Sequence, residues 1–329
     1  MVGPGGAALT ASAIKQRARE LGADLVGIAD GAFMDRLPEP GGVQLRPSRI
    51  TDFDGDRVIV LARRLGAGTS RLTRWDERHK YYNDELALTG LEQTALELVL
   101  WLEDRGVPAL IVPPTHVDPW RYSGDPEAHI EPLLSLDYAA VEAGLGTLGL
   151  NLQLLTPEFG PRVVLSAVLC SADVDCDAPM QRALCLGPAC GRCLRACPGD
   201  VIGHWERDWP ACDRYRSPHG FAQLTEFLGE VFDETDPEAR AAMVRSRESF
   251  DLWQSILRGA GVLTGCRRCA EVCPVGEDYE ALRDAQEAIA EETEAKELRL
   301  ADMVAAEQRS ALPKAYVERR RWIGELGRD

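Results

Sequence analysis

The sequence predicts an α/β fold: a three-layer domain of strands and helices, followed by a smaller metal-bound module. Two patterns carry this. Strand and helix signals alternate through the first 170 residues, and between Cys176 and Pro274 the strand signal stops while cysteines concentrate. Helices that alternate with strands pack on both faces of a sheet, which gives the layered α/β architecture. A length of 329 residues with 45% hydrophobic side chains suffices for one large core and a second small one. The expected boundaries are 1–175 for the α/β domain, 176–280 for the module and 281–329 for a helical tail.

Each element has a local reason. Thr10 or Ser12 caps a first helix in which Ile14, Ala18 and Leu21 share a face, and "DLVGIA" follows it as a buried strand. "RVIVLA" (57–62) is a second strand. Leu88, Leu91, Ala95, Leu98 and Leu102 keep a helical period, after which Gly106 and Pro108 lead into "ALIV" as a third strand. "RVVLSAVL" (162–169) is the fourth. Beyond the cysteines, residues 277–310 are rich in Glu, Ala and Leu and read as a solvated helix packed on the body, ending near Pro313.

Charge and hydropathy exclude several classes. A net charge of −16 offers no electrostatic footprint for nucleic acid and points to a small-molecule substrate. No stretch reaches the roughly 18 consecutive apolar residues of a membrane span. The opening residues have neither the apolar core of a signal peptide nor a twin-arginine pair, so the expected location is the cytoplasm. Thiols stay reduced there, and ten cysteines in tight spacings then read as metal ligands or redox groups.

The cysteines fall into two runs. Two-cluster ferredoxins use C-x2-C-x2-C-x3-C-P, in which the fourth cysteine of each run ligates the other cluster. Cys190, Cys193 and Cys197-Pro198 fill the last three positions of one run, and Cys266, Cys269 and Cys273-Pro274 those of another. Each lacks its first cysteine. Cys185 is the expected substitute in the first run, with Cys176 as the alternative, and Cys212 in the second. Eight thiolates then hold two [4Fe–4S] clusters. The crossing rule puts Cys185, Cys190, Cys193 and Cys273 on one cluster, and Cys197, Cys212, Cys266 and Cys269 on the other. Structural zinc is the competing reading, but a tetrathiolate site does not call for the repeated C-x3-C-P extension.

"GLGTLG" (144–149) satisfies the dinucleotide fingerprint in letters only. The fingerprint needs a strand before it and a helix after it, whereas here "LSLDYAAVEA" reads as helix and "NLQLL" as strand. Gly144, Gly146 and Gly149 are expected to admit the close approach of a bulky cofactor or of a neighbouring element.

"AGLGTLGLN", "LLTPEFGPRVVL" and the runs ending "CPGDVI" and "CPVG" resemble the superfamily of cobalamin-dependent reductive dehalogenases and epoxyqueuosine reductases. The likeness includes "ARELGADLVGIAD" and "HKYYNDELALTGLEQTALELVLWLEDRG". It implies a nitroreductase-like α/β domain holding base-off cobalamin, and a ferredoxin-like α+β module fed by an external low-potential electron donor. The implied reaction is reductive removal of a halide or an epoxide oxygen. "TPEFGPR" fits the dehalogenase branch better; in the epoxyqueuosine branch, which acts on tRNA, the proton-donor stretch matches "AHIEPLL", near His129 or Glu131. Tyr82, Glu131 and Tyr138 are candidate proton donors by their place in the resembling segments, and Arg162 is a candidate contact to a corrin amide or a substrate anion. His79, His116 and His204 carry no expected role.

Overall fold

A computed structural model describes residues 9–68, 77–114, 124–126, 132–258, 266–277 and 293–325. Its strands are β1 (Leu25–Asp30), β2 (Arg57–Arg64), β3 (Ala109–Val112), a two-residue pair β4 (Thr147–Leu148) and β5 (Leu154–Leu155), and β6 (Val163–Cys170). Four of them form one sheet in the order β1-β2-β6-β3, with every neighbour antiparallel. All four strands of that sheet match strands expected from the sequence.

Helices cover both faces. Ile59 and Leu61 of β2 point to the side occupied by α1 (Ala11–Glu20) and α3 (Glu77–Glu103), where they meet Ile14, Ala18, Leu91, Ala95, Leu98 and Leu102. Val58, Val60 and Ala62 point to the opposite side, towards α2 (Gly31–Met34) and α4 (Leu136–Glu142). Because neither face meets water, "VIVLA" reads as an unbroken apolar run rather than an alternating one. Thr10 is the cap of α1, its hydroxyl accepting from the N–H of Ala13 at 3.2 Å.

The cysteine region holds α5 (Arg192–Arg195), α6 (Trp209–Arg216), α7 (Phe221–Asp233), α8 (Pro237–Val244), α9 (Arg247–Arg258) and α10 (Arg268–Glu271). Its described residues contain no strand ladder, only an isolated bridge between Ile202 and Arg207. The described residues of the module are helices and loops, part of whose packing gathers around the cysteines. Helices α7, α8 and α9 are the insertion between Cys212 and Cys266, with a small core of Phe227, Val231 and Leu252.

The last two helices divide between the two parts. α11 (Glu294–Gln308) packs Leu300 and Met303 against Leu194 and Trp205 of the cysteine region. α12 (Lys314–Ile323) returns to the sheet, where Trp322 joins the core beside α4 and meets the Tyr138 ring edge-on at 5.1 Å. Arg321 forms a two-pronged pair with Glu142, both contacts at 2.7 Å. Trp322→Ala is expected to cost about 3–5 kcal/mol of stability, read from the urea midpoint of the anaerobically purified chain.

Candidate functional site

The site lies where the cysteine runs meet the β4–β5 turn. Cys185, Cys190, Cys193 and, from the second run, Cys273 line a small cleft together with Gly149, Leu150 and Asn151. The N–H of Leu150 donates to the Cys185 sulfur at 3.3 Å, and that of Gly187 at 3.4 Å. Cys197, Cys212 and Cys269 are buried and Cys266 partly so. This second group packs deeper, with the Val201 N–H donating to Cys197 at 3.5 Å and the Cys269 thiol to Gln153 at 3.5 Å.

Electrostatics couple the thiols both within and between the two groups. Burial pushes the Cys193 thiol well above its usual range, and its neighbours Cys269, Cys185, Cys273 and Cys190 push it further. Burial lifts Cys273 to about 12; the Val275 N–H opposes this, while Cys185 and Cys190 add to it. Cys266 is also lifted to about 12, first by burial and then by Cys269 and Cys212. Crowded thiols of this kind resist ionisation until a group carrying several cations joins them. Among the described residues no three His, Cys, Asp or Glu side chains close on the position of a single ion. Grouped cysteine thiols are the donor set that an iron–sulfur cluster takes.

Basic side chains fasten these loops to the rest of the chain. Arg162, expected at a cofactor or substrate anion, is buried and donates to the carbonyls of Cys273 at 2.9 Å, Val275 at 2.8 Å and Ala270 at 3.3 Å. It ties the second run to the start of β6. Arg267, between two cysteines, reaches Asp84 of α3 at 2.7 Å and Glu271 at 3.1 Å, all three being buried. Lys296 of α11 donates to the carbonyls of Arg195 and Cys197 at 3.0 and 2.8 Å. Arg207 donates to the Cys212 sulfur at 2.8 Å. Of these four only Arg162 stood out in the sequence, as a cofactor or anion contact; Arg207, Arg267 and Lys296 did not, because a buried anchor and a solvated cation look alike in sequence.

The remaining candidates do not converge. Tyr138 is in the core with its hydroxyl accepting from Arg319 at 2.9 Å, and Tyr82 is half exposed on α3. Glu131 lies outside the described residues. The sharpest close approaches at two of the glycines are to protein backbone. A Cβ on Gly146 would stand 1.9 Å from the Leu155 carbonyl oxygen, and one on Gly144, at φ +73°, would stand 2.7 Å from that of Ala178. Gly149 borders the cleft. Helix α4 precedes the glycines and β5 follows them, the reverse of a dinucleotide site. Cys176 is exposed and Cys185 lines the cleft, so the first group takes Cys185. Asp137 escaped notice in the sequence: its carboxyl accepts from the Leu154 N–H at 2.7 Å, and burial raises its pKa against the pull of that bond, Arg207 and Arg216.

Comparison of the sequence returns epoxyqueuosine reductases, and comparison of the fold returns reductive dehalogenases. No family model matches the chain. An epoxyqueuosine reductase from Listeria monocytogenes serovar 1/2a (strain ATCC BAA-679 / EGD-e) is 28% identical over 146 residues, 44% of this chain and 30% of that protein. One from Synechococcus sp. (strain RCC307) is 28% identical over 214 residues, 58% of this chain and 61% of that protein. The matches thus span between about a third and three fifths of these relatives. In structure, the catabolic reductive dehalogenase NpRdhA in complex with 3-bromo-4-hydroxybenzoic acid aligns with a TM-score of 0.50 and 19% identity, covering 94% of this chain and 37% of its own. A reductive dehalogenase described for B12-dependent dehalogenation aligns at 0.51 with 20% identity, over 98% of this chain and 40% of its own. At these identities the structural likeness establishes the fold. No described helix is long and apolar enough to cross a membrane.

Arg267→Leu removes the counter-charge between two buried carboxylates and is expected to cost about 3–5 kcal/mol, measured by urea unfolding under anaerobic conditions.

Proposed function

We propose that the chain is an iron–sulfur oxidoreductase that takes electrons from an external low-potential donor through two [4Fe–4S] clusters to a reaction site beside the α/β domain. The observation that supports it is that Cys185, Cys190, Cys193 and Cys273, drawn from both runs, line one cleft, while Cys269 lies close enough to Cys212 and Cys197 to feel their charge. When bound, the clusters supply one-electron transfer. The chain's own residues do the rest. Cys185, Cys190, Cys193 and Cys273 would hold the first cluster at the cleft, and Cys197, Cys212, Cys266 and Cys269 the second, deeper one. Leu150 and Gly187 direct N–H groups at Cys185, and Leu194, Ile202 and Trp205 help to keep water from the sulfurs.

The finer reading is reductive removal of a halide or an oxygen from a small molecule with cobalamin as the acceptor, supported by the fold likeness to a B12-dependent dehalogenase. Of the positions expected to touch that cofactor, Gly144 and Gly146 are closed by protein backbone and Arg162 is engaged with carbonyls. Those residues do not fit a corrin cradle, and no step is drawn through it. A second reading, a relative of epoxyqueuosine reductases acting on tRNA, is favoured by the names of the curated relatives and opposed by the acidic charge.

Anaerobic reconstitution with iron, sulfide and hydroxocobalamin is the test. About eight irons per chain are expected. One cobalt retained beside them would support the cobalamin reading and its absence would remove that reading while leaving the electron path standing, whereas about four irons or fewer would remove the two-cluster path. Cys193→Ala should retain about half the iron, and unchanged iron and sulfide would overturn the ligand set.

A further inference from the structure

We propose that Arg207 gives the second cysteine group a higher reduction potential than the first, by fixing a positive charge against its ligand sulfurs. This rests on the two-cluster reading above. The guanidinium is held on three sides: one terminal N–H donates to the Cys212 sulfur at 2.8 Å, another to the Asn151 carbonyl at 3.1 Å, and the plane lies over the Trp209 ring, 4.3 Å from its centre. The Nε–H is buried and finds no acceptor among the described residues. That leaves a donor available next to the group where a cluster's own sulfides would bring acceptors.

The first group is treated differently. Cys185 receives two backbone N–H groups, which are neutral dipoles, and Arg162, the cation acting on Cys273, turns three of its contacts to carbonyls. The consequence is a difference in charge stabilisation. One electron, given up by a low-potential donor that is itself oxidised by one electron, adds one negative charge to the group; no proton or atom moves. A fixed cation in a low-dielectric site favours the reduced state over the oxidised one. Arginine suits this because its guanidinium stays charged and its planar fork fixes the direction of each N–H. Asp137, whose carboxyl also feels Arg207, would act on the group in the same direction as the loss of Arg207.

The test uses the full chain, reconstituted anaerobically, with R207Q and R207K beside the wild type. Iron content is measured first, then reduction by dithionite is followed by electron paramagnetic resonance against potential. Two one-electron waves are expected in the wild type. In R207Q one wave should fall by about tenfold in its reduction equilibrium, which is about 59 mV for one electron, while the other stays in place. R207K should move the same wave by less. R207Q with full iron and both waves unmoved would overturn the proposal, as would equal movement of both. If R207Q loses iron, R207K decides: a lowered wave supports the assignment and an unmoved one overturns it. Loss of iron from both variants would make Arg207 purely structural. A wild-type chain binding about four irons or none would overturn the two-cluster reading and this one together.

Discussion

Crowding thiols in a low-dielectric space is the constraint on which the cysteine region depends. Burial and mutual repulsion push Cys193, Cys266 and Cys273 towards their neutral form, so the groups are poorly suited to carry thiolate charge unaided. The rest of the region is arranged around that fact. Its helices include several of only a turn or so, its described residues have no sheet, and its polar backbone turns towards sulfur at Cys185 and Cys197. A loop-rich segment of this kind loses much conformational entropy on folding, and bonds to a bound metal group are one of the few terms large enough to offset it.

Cations do the fastening in a chain that is acidic overall. Arg162, Arg267 and Lys296 each run from one element into a cysteine-bearing loop, two of them to backbone carbonyls and one to a pair of carboxylates. Carbonyls that would otherwise be orphaned near the sulfurs thus gain donors. The same contacts bind the cysteine region to α3, β6 and α11, so cluster positions and the sheet are mechanically one problem. α12 completes the link by returning Trp322 and Arg319 to the α4 side of the sheet.

Some residues were readable early and others were not, for physical reasons. The four strands and α1 follow from local periodicity and a side-chain cap, interactions made within a few residues. Six of the cysteines stand out because they repeat the C-x2-C-x3-C-P spacing, whereas Cys185 and Cys212 lie outside it. Arg207 and Asp137 were not, since their roles depend on hydrogen-bond partners 5 to 56 positions away that are not distinctive in sequence. Tyr138 is set by a distant partner as well: its hydroxyl accepts from Arg319, 181 positions later.

By itself the sequence determined the layered α/β class, the strands of the main sheet and the membership of the two cysteine runs, because each is set by residue type at short range. Only the tertiary structure decided that Cys185 rather than Cys176 lines the cleft, that the glycines at 144 and 146 face backbone, and that Arg162 clamps carbonyls. Those outcomes depend on which surfaces meet across long sequence distances. Burial and charge compensation settle such choices, and both are properties of the packed chain.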